Sequence, residues 1–128
     1  PDYYVRQVVA RRIPENLLTL MMHDADFTVR STVASRIGDA WLPAMARDGE
    51  AAVRREVARR MKAWQLLLLM DDPDWRVRYE VASRAERSHL NRLANDEDEL
   101  VRGVARHRLG RGSGASCPVV PKQACQPF

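Results

Sequence analysis

Apolar and polar positions along the chain recur with a period of 24 residues, and the phase holds without a gap from residue 2 to about residue 109. Each unit carries a valine followed by an arginine, then a further arginine six residues on, and it closes with an aspartate. The rows are Val5, Val29, Val53, Val77 and Val101; Arg6, Arg30, Arg54, Arg78 and Arg102; Arg12, Arg36, Arg60, Arg84 and Arg108; and Asp24, Asp48, Asp72 and Asp96. Repetition at a short fixed period predicts stacked structural units.

The first half of each unit predicts an amphipathic α-helix. Val77, Val81 and Ala85 share one face of a helix at spacings i, i+4 and i+8. Asp72 is the expected N-cap, and Pro73 suits the first helical position, where its missing N–H group costs nothing.

The second half of each unit is too short for another full helix. Leu90 and Leu93 are spaced i, i+3, which predicts a tight α-turn or a 3₁₀ segment. Two-helix repeats need about 33 to 47 residues, whereas 24 leave room for one helix and a shorter piece. We therefore predict an all-α solenoid of α- and 3₁₀-helices over residues 1–110, with four full repeats and a partial or capping fifth. A tail rich in glycine, serine and proline follows at residues 111–128.

Composition excludes several classes of protein. The longest apolar run, residues 66–70, is too short to cross a bilayer. Two cysteines are too few for a disulfide framework or an unaided zinc or iron–sulfur site. We predict a cytoplasmic protein in which Cys117 and Cys125 are free thiols; a contribution of both to a shared metal site is the weaker alternative.

The charged rows nearly cancel, although Lys+Arg number 21 against 17 Asp+Glu. Two complete arginine rows hold ten residues, and the acids that close and open the units hold nine. Stacked like charges repel unless arginines and acids interleave. We therefore interpret the valine, arginine and aspartate rows as a structural ladder that ties neighbouring repeats together.

Off-ladder positions carry the candidate binding residues. Tyr3, Phe27 and Trp75 share one phase, and tryptophan, tyrosine and arginine are favoured interface anchors; packing between repeats is the alternative. Arg55 and Arg59 lie at i, i+4 on a solvent face and suit an acidic protein surface or nucleic acid, unless they are merely solvated. The candidate partner-binding residues are Tyr3, Phe27, Trp75, Tyr79, Arg55 and Arg59.

Catalytic chemistry finds no support in the residues. His23, His89 and His107 occupy different phases, without the context of a triad or a zinc motif. The glycine-rich stretch at residues 110–114 lacks the lysine and the preceding strand of a phosphate-binding loop. We predict that the protein is not an enzyme and that these residues hold no catalytic, cofactor or metal site.

The pattern D-x-D/E-x-x-VRxxVAxR, followed by L-x-x-L/M and Asp, resembles the leucine-rich repeat variant proteins over residues 2 to about 109. The resemblance implies a right-handed superhelix of alternating α- and 3₁₀-helices. Members of that family are encoded beside nitrogen-fixation genes, which implies a nitrogenase component or its assembly machinery as the protein partner.

Family members can carry an N-terminal domain with a cysteine-bound 4Fe-4S cluster, and no part of this sequence matches that domain. Because Asp2 already occupies the second acid position of a unit, we expect further repeats upstream. Three hypotheses follow: a protein-interaction scaffold, which we favour; a nucleic-acid-binding protein that uses the arginine-rich face; and an iron–sulfur electron carrier that depends on cysteines outside this chain.

Overall fold

The computed structural model describes residues 2–112, and within that range it contains helices and turns but no strand. The α-helices are α1 (Tyr3–Arg12), α2 (Phe27–Arg36), α3 (Leu42–Met45), α4 (Ala51–Arg60), α5 (Trp75–Arg84), α6 (Leu90–Leu93) and α7 (Glu99–Gly112). The 3₁₀ segments are Glu15–Met21, Asp39–Trp41, Ala63–Leu69 and Arg87–His89. The predicted all-α fold of helical repeats is confirmed, with α1, α2, α4, α5 and α7 as the repeat helices.

One continuous hydrophobic core runs through the described repeats. The helices α2, α4 and α5 each contribute two valines and an alanine, such as Val53 and Val57 in α4, which are fully buried. Each second half contributes leucine or methionine, such as Leu66 and Leu69 in the third repeat. A single unit cannot bury this apolar stripe, and only stacking against its neighbours removes the stripe from water.

The first valine of the periodic row departs from the expected buried seam. Val29, Val53, Val77 and Val101 are fully buried, but Val5 is 56% exposed. Among the described residues no repeat packs on the outer side of α1, so nothing covers Val5 there. The valine row therefore lies in the core from the second repeat onward, and its first member is exposed to solvent.

The helix starts differ from the sequence prediction. The N-cap of α5 is Asp74, whose carboxylate accepts the backbone N–H of Arg76 at 2.8 Å. Asp72 instead accepts the N–H of Asp74 at 2.9 Å, so Asp72 and Pro73 lie in the turn before the helix. The prediction of Asp72 as the N-cap is wrong because its carboxylate is used by that turn and by an arginine of the ladder.

The last repeat helix extends beyond its predicted boundary. α7 runs to Gly112, two residues past the expected end of the solenoid at residue 110. Helix ends are defined only to within one or two residues, so this difference is within the usual uncertainty of a boundary. Cys117, Cys125 and the rest of the predicted tail from residue 113 lie outside the described residues.

Candidate protein-interaction surface

The first arginine row forms bidentate ion pairs with the aspartates that lie 18 residues later. Arg54 donates from Nε to Oδ2 of Asp72 at 2.6 Å and from Nη2 to Oδ1 at 3.1 Å. The same two bonds join Arg6 to Asp24, Arg30 to Asp48, and Arg78 to Asp96. The planar guanidinium suits this fork geometry, which a lysine could not reproduce.

The backbone carbonyl of each ladder aspartate also accepts a hydrogen bond from the next arginine of the row. Arg54 Nη1 donates to the backbone carbonyl of Asp48 at 2.8 Å, while the Asp48 carboxylate accepts from Arg30. The equivalent carbonyl bonds join Arg30 to Asp24, Arg78 to Asp72, and Arg102 to Asp96. The ladder is therefore unbroken from Arg6 to Arg102.

Burial and ion pairing shift the pKa values of several arginines and of one aspartate in the ladder. The side chains of Arg54 and Asp72 are only 12% and 3% exposed. The hydrogen bond from Arg54 to Asp72 raises the pKa of the arginine, and Arg6, Arg30 and Arg78 are affected in the same way. Burial opposes the charge on Asp24, but the bond from Arg6 and further interactions outweigh it and hold the pKa of Asp24 below its usual value.

The second arginine row binds backbone carbonyls, and Arg60 pairs in addition with Asp39. Arg60 Nη1 donates to the carbonyl oxygens of Ala34, at 2.9 Å, and Ile37, which lie at the end of the preceding repeat helix. The same reach of 26 residues joins Arg36 to Ala10, Arg84 to Ala58, and Arg108 to Ala82. These bonds satisfy carbonyls that a helix end leaves without an internal partner. Sequence reasoning missed this role because the acceptor is main chain.

Four of the predicted partner-binding residues come together on α4 and α5, and we call them the α-face cluster: Arg55, Arg59, Trp75 and Tyr79. Nε of Arg55 and Nε of Arg59 both lie 3.8 Å from Oε2 of Glu80. The rings of Trp75 and Tyr79 meet edge to face, with centroids 6.4 Å apart. Trp75 is 39% exposed, whereas Tyr79 packs partly against the core. The cluster therefore presents cations, one exposed indole and a half-buried phenol on one surface.

Phe27 and Tyr3 lie on other repeats. Phe27 is 43% exposed at a groove of about 400 Å³, which Arg11 and the hydroxyls of Ser31 and Ser35 also line. Tyr3 is 51% exposed on α1, three repeats away from Trp75. The structure therefore divides the six predicted residues into one cluster and two separate positions.

A second exposed surface, formed by apolar residues of the 3₁₀ segments, could be predicted only in part from the sequence. Leu20, Trp64 and Leu68 are 80%, 61% and 63% exposed, and all three lie in 3₁₀ segments. The i, i+3 spacing of apolar residues was the feature of the sequence that could have indicated this surface. In a run such as residues 66–69, however, the sequence does not distinguish an exposed leucine from a buried one.

The described residues contain no group of three or more histidines, cysteines or acids positioned to hold a metal ion. Among residues 2–112, none of the helices combines the length and the apolar character that a transmembrane segment requires.

Comparison with known proteins gives one solved structure of high similarity. It is described as "a leucine-rich repeat variant with a novel repetitive protein structural motif". The two chains are 41% identical with a TM-score of 0.80, and the match covers 84% of this chain and 46% of the other. The chain thus spans about half the length of that protein. No protein-family model and no curated protein sequence matches the chain.

Proposed function

The repeat region belongs to the leucine-rich repeat variant family, and on that premise we propose that the protein is a non-enzymatic scaffold that binds another protein through the α-face cluster. The proposal rests on one observation: some arginines are paired within the ladder, whereas others are exposed to solvent. Arg54 is paired within the ladder, whereas Arg55 and Arg59 remain 42% and 45% exposed on α4, which packs against the helix that carries Trp75. Exposed arginine and tryptophan side chains on a rigid support are typical of interface anchors.

The chemistry of the cluster favours an acidic protein segment with an apolar residue. Arg55 and Arg59 are held by Glu80 at 3.8 Å, a distance at which a partner carboxylate can compete for both guanidinium groups. Trp75 offers apolar area next to them. A nucleic-acid backbone fits less well, because it requires a continuous stripe of cations along many phosphates, and Glu56 and Glu80 interrupt the arginines here.

For the partner, we propose a component of nitrogenase or of its assembly machinery, and for the location, the cytoplasm. Support for this choice of partner comes from the family resemblance, since members are encoded beside nitrogen-fixation genes. A protein that lacks a disulfide framework suits the reducing compartment in which such a partner would be met.

Affinity capture under anaerobic conditions from nitrogen-fixing cells tests the proposal. The wild-type chain is expected to retain a defined protein, and Trp75→Ala is expected to weaken that complex by about 10- to 30-fold. Arg59→Ala is expected to weaken it as well. Arg92→Ala is the matched control, because Arg92 is also an exposed arginine paired with an acid of another element, Asp71.

Two results would contradict the proposal. One is the absence of any captured protein. The other is equal binding by wild type and by both α-face variants. Retention of DNA or RNA with an affinity that falls steeply with salt would instead favour the nucleic-acid hypothesis, because released counterions make phosphate binding salt-dependent.

A further inference from the structure

The second halves of the first three repeats present an apolar surface that the α-face cluster does not use. We call it the 3₁₀ face. Its exposed members are Leu17, Leu20, Trp41, Trp64, Leu67 and Leu68, with exposed fractions between 41% and 80%.

The spacing of these residues places their side chains on one face of the repeats. Side chains three apart in a 3₁₀-helix eclipse one another, so Leu17 aligns with Leu20 and Trp64 with Leu67. Trp41 lies 24 residues after Leu17 and therefore occupies the same position in the neighbouring repeat. The patch ends at the fourth repeat, where Ser88, Asn91 and Arg92 are exposed instead.

The patch is large for a chain of this size. Two tryptophans that are about half exposed contribute on the order of 250 Å². The four leucines raise the total to roughly 600 Å², at the upper limit of patches usual on monomers. A standard interface takes about 800 Å² from each partner, so the patch with its charged rim reaches that size.

The two edges of the 3₁₀ face carry opposite formal charges in the second and third repeats, and an acid and a histidine in the first. The residues that precede or open each segment are Glu15, Asp39 and Lys62, and those that follow it are His23, Arg47 and Asp71. Within residues 2–112, Glu15, Lys62, His23 and Arg47 make no ion pair. Asp39 pairs with Arg60 and Asp71 with Arg92, yet their side chains remain 64% and 69% exposed.

We propose that the 3₁₀ face binds a second copy of the chain across a two-fold axis, with each repeat opposite its own counterpart and the direction of its segment reversed. In this arrangement Asp39 faces Arg47, Lys62 faces Asp71, and Glu15 faces the imidazole of His23, which can donate a hydrogen bond to it. The pattern is self-complementary, which is what an isologous interface requires.

The apolar residues of the 3₁₀ face fit the same arrangement. Reversal of the segment places Trp41 opposite Ala44, a large side chain against a small one, and Leu17 opposite Leu20. Trp64 meets Leu68 of the other copy at the largest part of the patch. The interface leaves the α-face cluster free, so self-association and partner binding are compatible.

Sedimentation velocity of the full chain at 1 to 200 µM, on the order of the range where such interfaces associate, tests the proposal. A concentration-dependent dimer is expected for the wild type. Leu68→Glu is expected to weaken the dimer at least about 30-fold, because the two-fold axis buries two unpaired carboxylates. Leu100→Glu is the matched control: Leu100 is 56% exposed on α7, outside the patch, and the dimer is expected to persist.

A charge exchange tests the orientation. Lys62→Asp is expected to weaken the dimer about fivefold by placing like charges opposite each other. Adding Asp71→Lys to it is expected to restore the affinity to within about twofold, since the two edges are then merely interchanged. Circular dichroism of each variant verifies that the repeats remain folded.

A chain that stays monomeric over the whole range would overturn the proposal. So would a dimer that resists Leu68→Glu but is lost in Leu100→Glu. Binding of the monomer to phosphatidylcholine vesicles without any dimer in solution would assign the patch to a lipid surface instead. Failure of the charge exchange to restore a dimer weakened by Lys62→Asp would exclude the proposed two-fold arrangement.

Discussion

Arg54 and Arg55 are adjacent on α4, yet they belong to two regions with different chemistry. Arg54 makes three hydrogen bonds to Asp72 and Asp48 in the ladder, and its side chain is 12% exposed. Arg55 lies on the outer face, 42% exposed and 3.8 Å from Glu80. The position of Arg54 is arginine in all five repeats, whereas the position of Arg55 holds Gln, Ser, Arg, Tyr and Gly. Two consecutive residues, which point about 100° apart around the helix axis, thus separate the part of the repeat that fixes shape from the part that can vary.

The largest expected loss of stability comes from a substitution in the ladder. Arg54→Ala leaves the buried carboxylate of Asp72 without its cation and is expected to lower the free energy of unfolding by about 3–5 kcal/mol. Arg55→Ala removes a solvated pair and is expected to cost less than about 1 kcal/mol. Urea denaturation followed by circular dichroism measures both. Equal losses for the two variants would contradict the division described above.

A second pair of variants sharpens the comparison within one 3₁₀ segment. Leu66 is fully buried and Leu68 is 63% exposed. Leu66→Ala is expected to lower the free energy of unfolding by about 2–5 kcal/mol through lost burial and a cavity. Leu68→Ala is expected to change it by less than about 0.5 kcal/mol. Denaturation at a concentration where the chain is monomeric keeps self-association out of the comparison.

The helix caps give a smaller contrast. Asp74 accepts the N–H of Arg76, so Asp74→Ala is expected to cost about 1 kcal/mol. Glu50, at the equivalent position before α4, makes no side-chain cap bond, and Glu50→Ala is expected to be neutral within about 0.5 kcal/mol. Thermal unfolding of the two variants beside wild type measures the difference. An equal loss would show that the caps act through charge alone.

The smallest expected change in the free energy of unfolding, counted per ionisable group, comes from lowering the pH. The bond from Thr28 lowers the pKa of Asp26, and the bond from Arg76 lowers that of Asp74; the pKa of Asp24 is also lowered. A depressed pKa in the folded state stabilises the protein above the unfolded value of about 4, and this contribution is lost as the pH falls through the folded values. The free energy of unfolding measured from about pH 6 down to about pH 2 should therefore fall below about pH 4. Asp24→Asn should flatten that fall.

Most of the fold could be predicted from the sequence because identical positions in successive repeats make identical contacts. The period alone placed Val53 and Val77 in the core and predicted the shorter second piece. It could not locate the N-cap, because Asp72 and Asp74 both precede the helix and either carboxylate can accept a backbone N–H. Only the ladder bond from Arg54 separates their roles.

The surfaces were harder to predict. The contact of Arg60 with the carbonyls of Ala34 and Ile37 was missed because a sequence does not display its backbone acceptors. The residues of the α-face cluster were candidates by residue type, but their proximity on α4 and α5 and the position of Glu80, 3.8 Å from both arginines, were not predicted. In the run from Leu66 to Leu69, the outer residues are buried and the inner two face solvent, a distinction set by the 3₁₀ turn rather than by composition.

The backward reach of the second arginine row gives any block of these repeats a polarity. Each guanidinium extends 26 residues back to the helix before it, so one edge of a block offers donors and the opposite edge offers carbonyls. Blocks of repeats can therefore be joined in one direction only, with the donor edge of one block against the carbonyl edge of the next. Lengthening the molecule by whole multiples of 24 residues preserves every such joint, whereas an insertion within a repeat helix turns its arginine away from the carbonyl of the preceding helix.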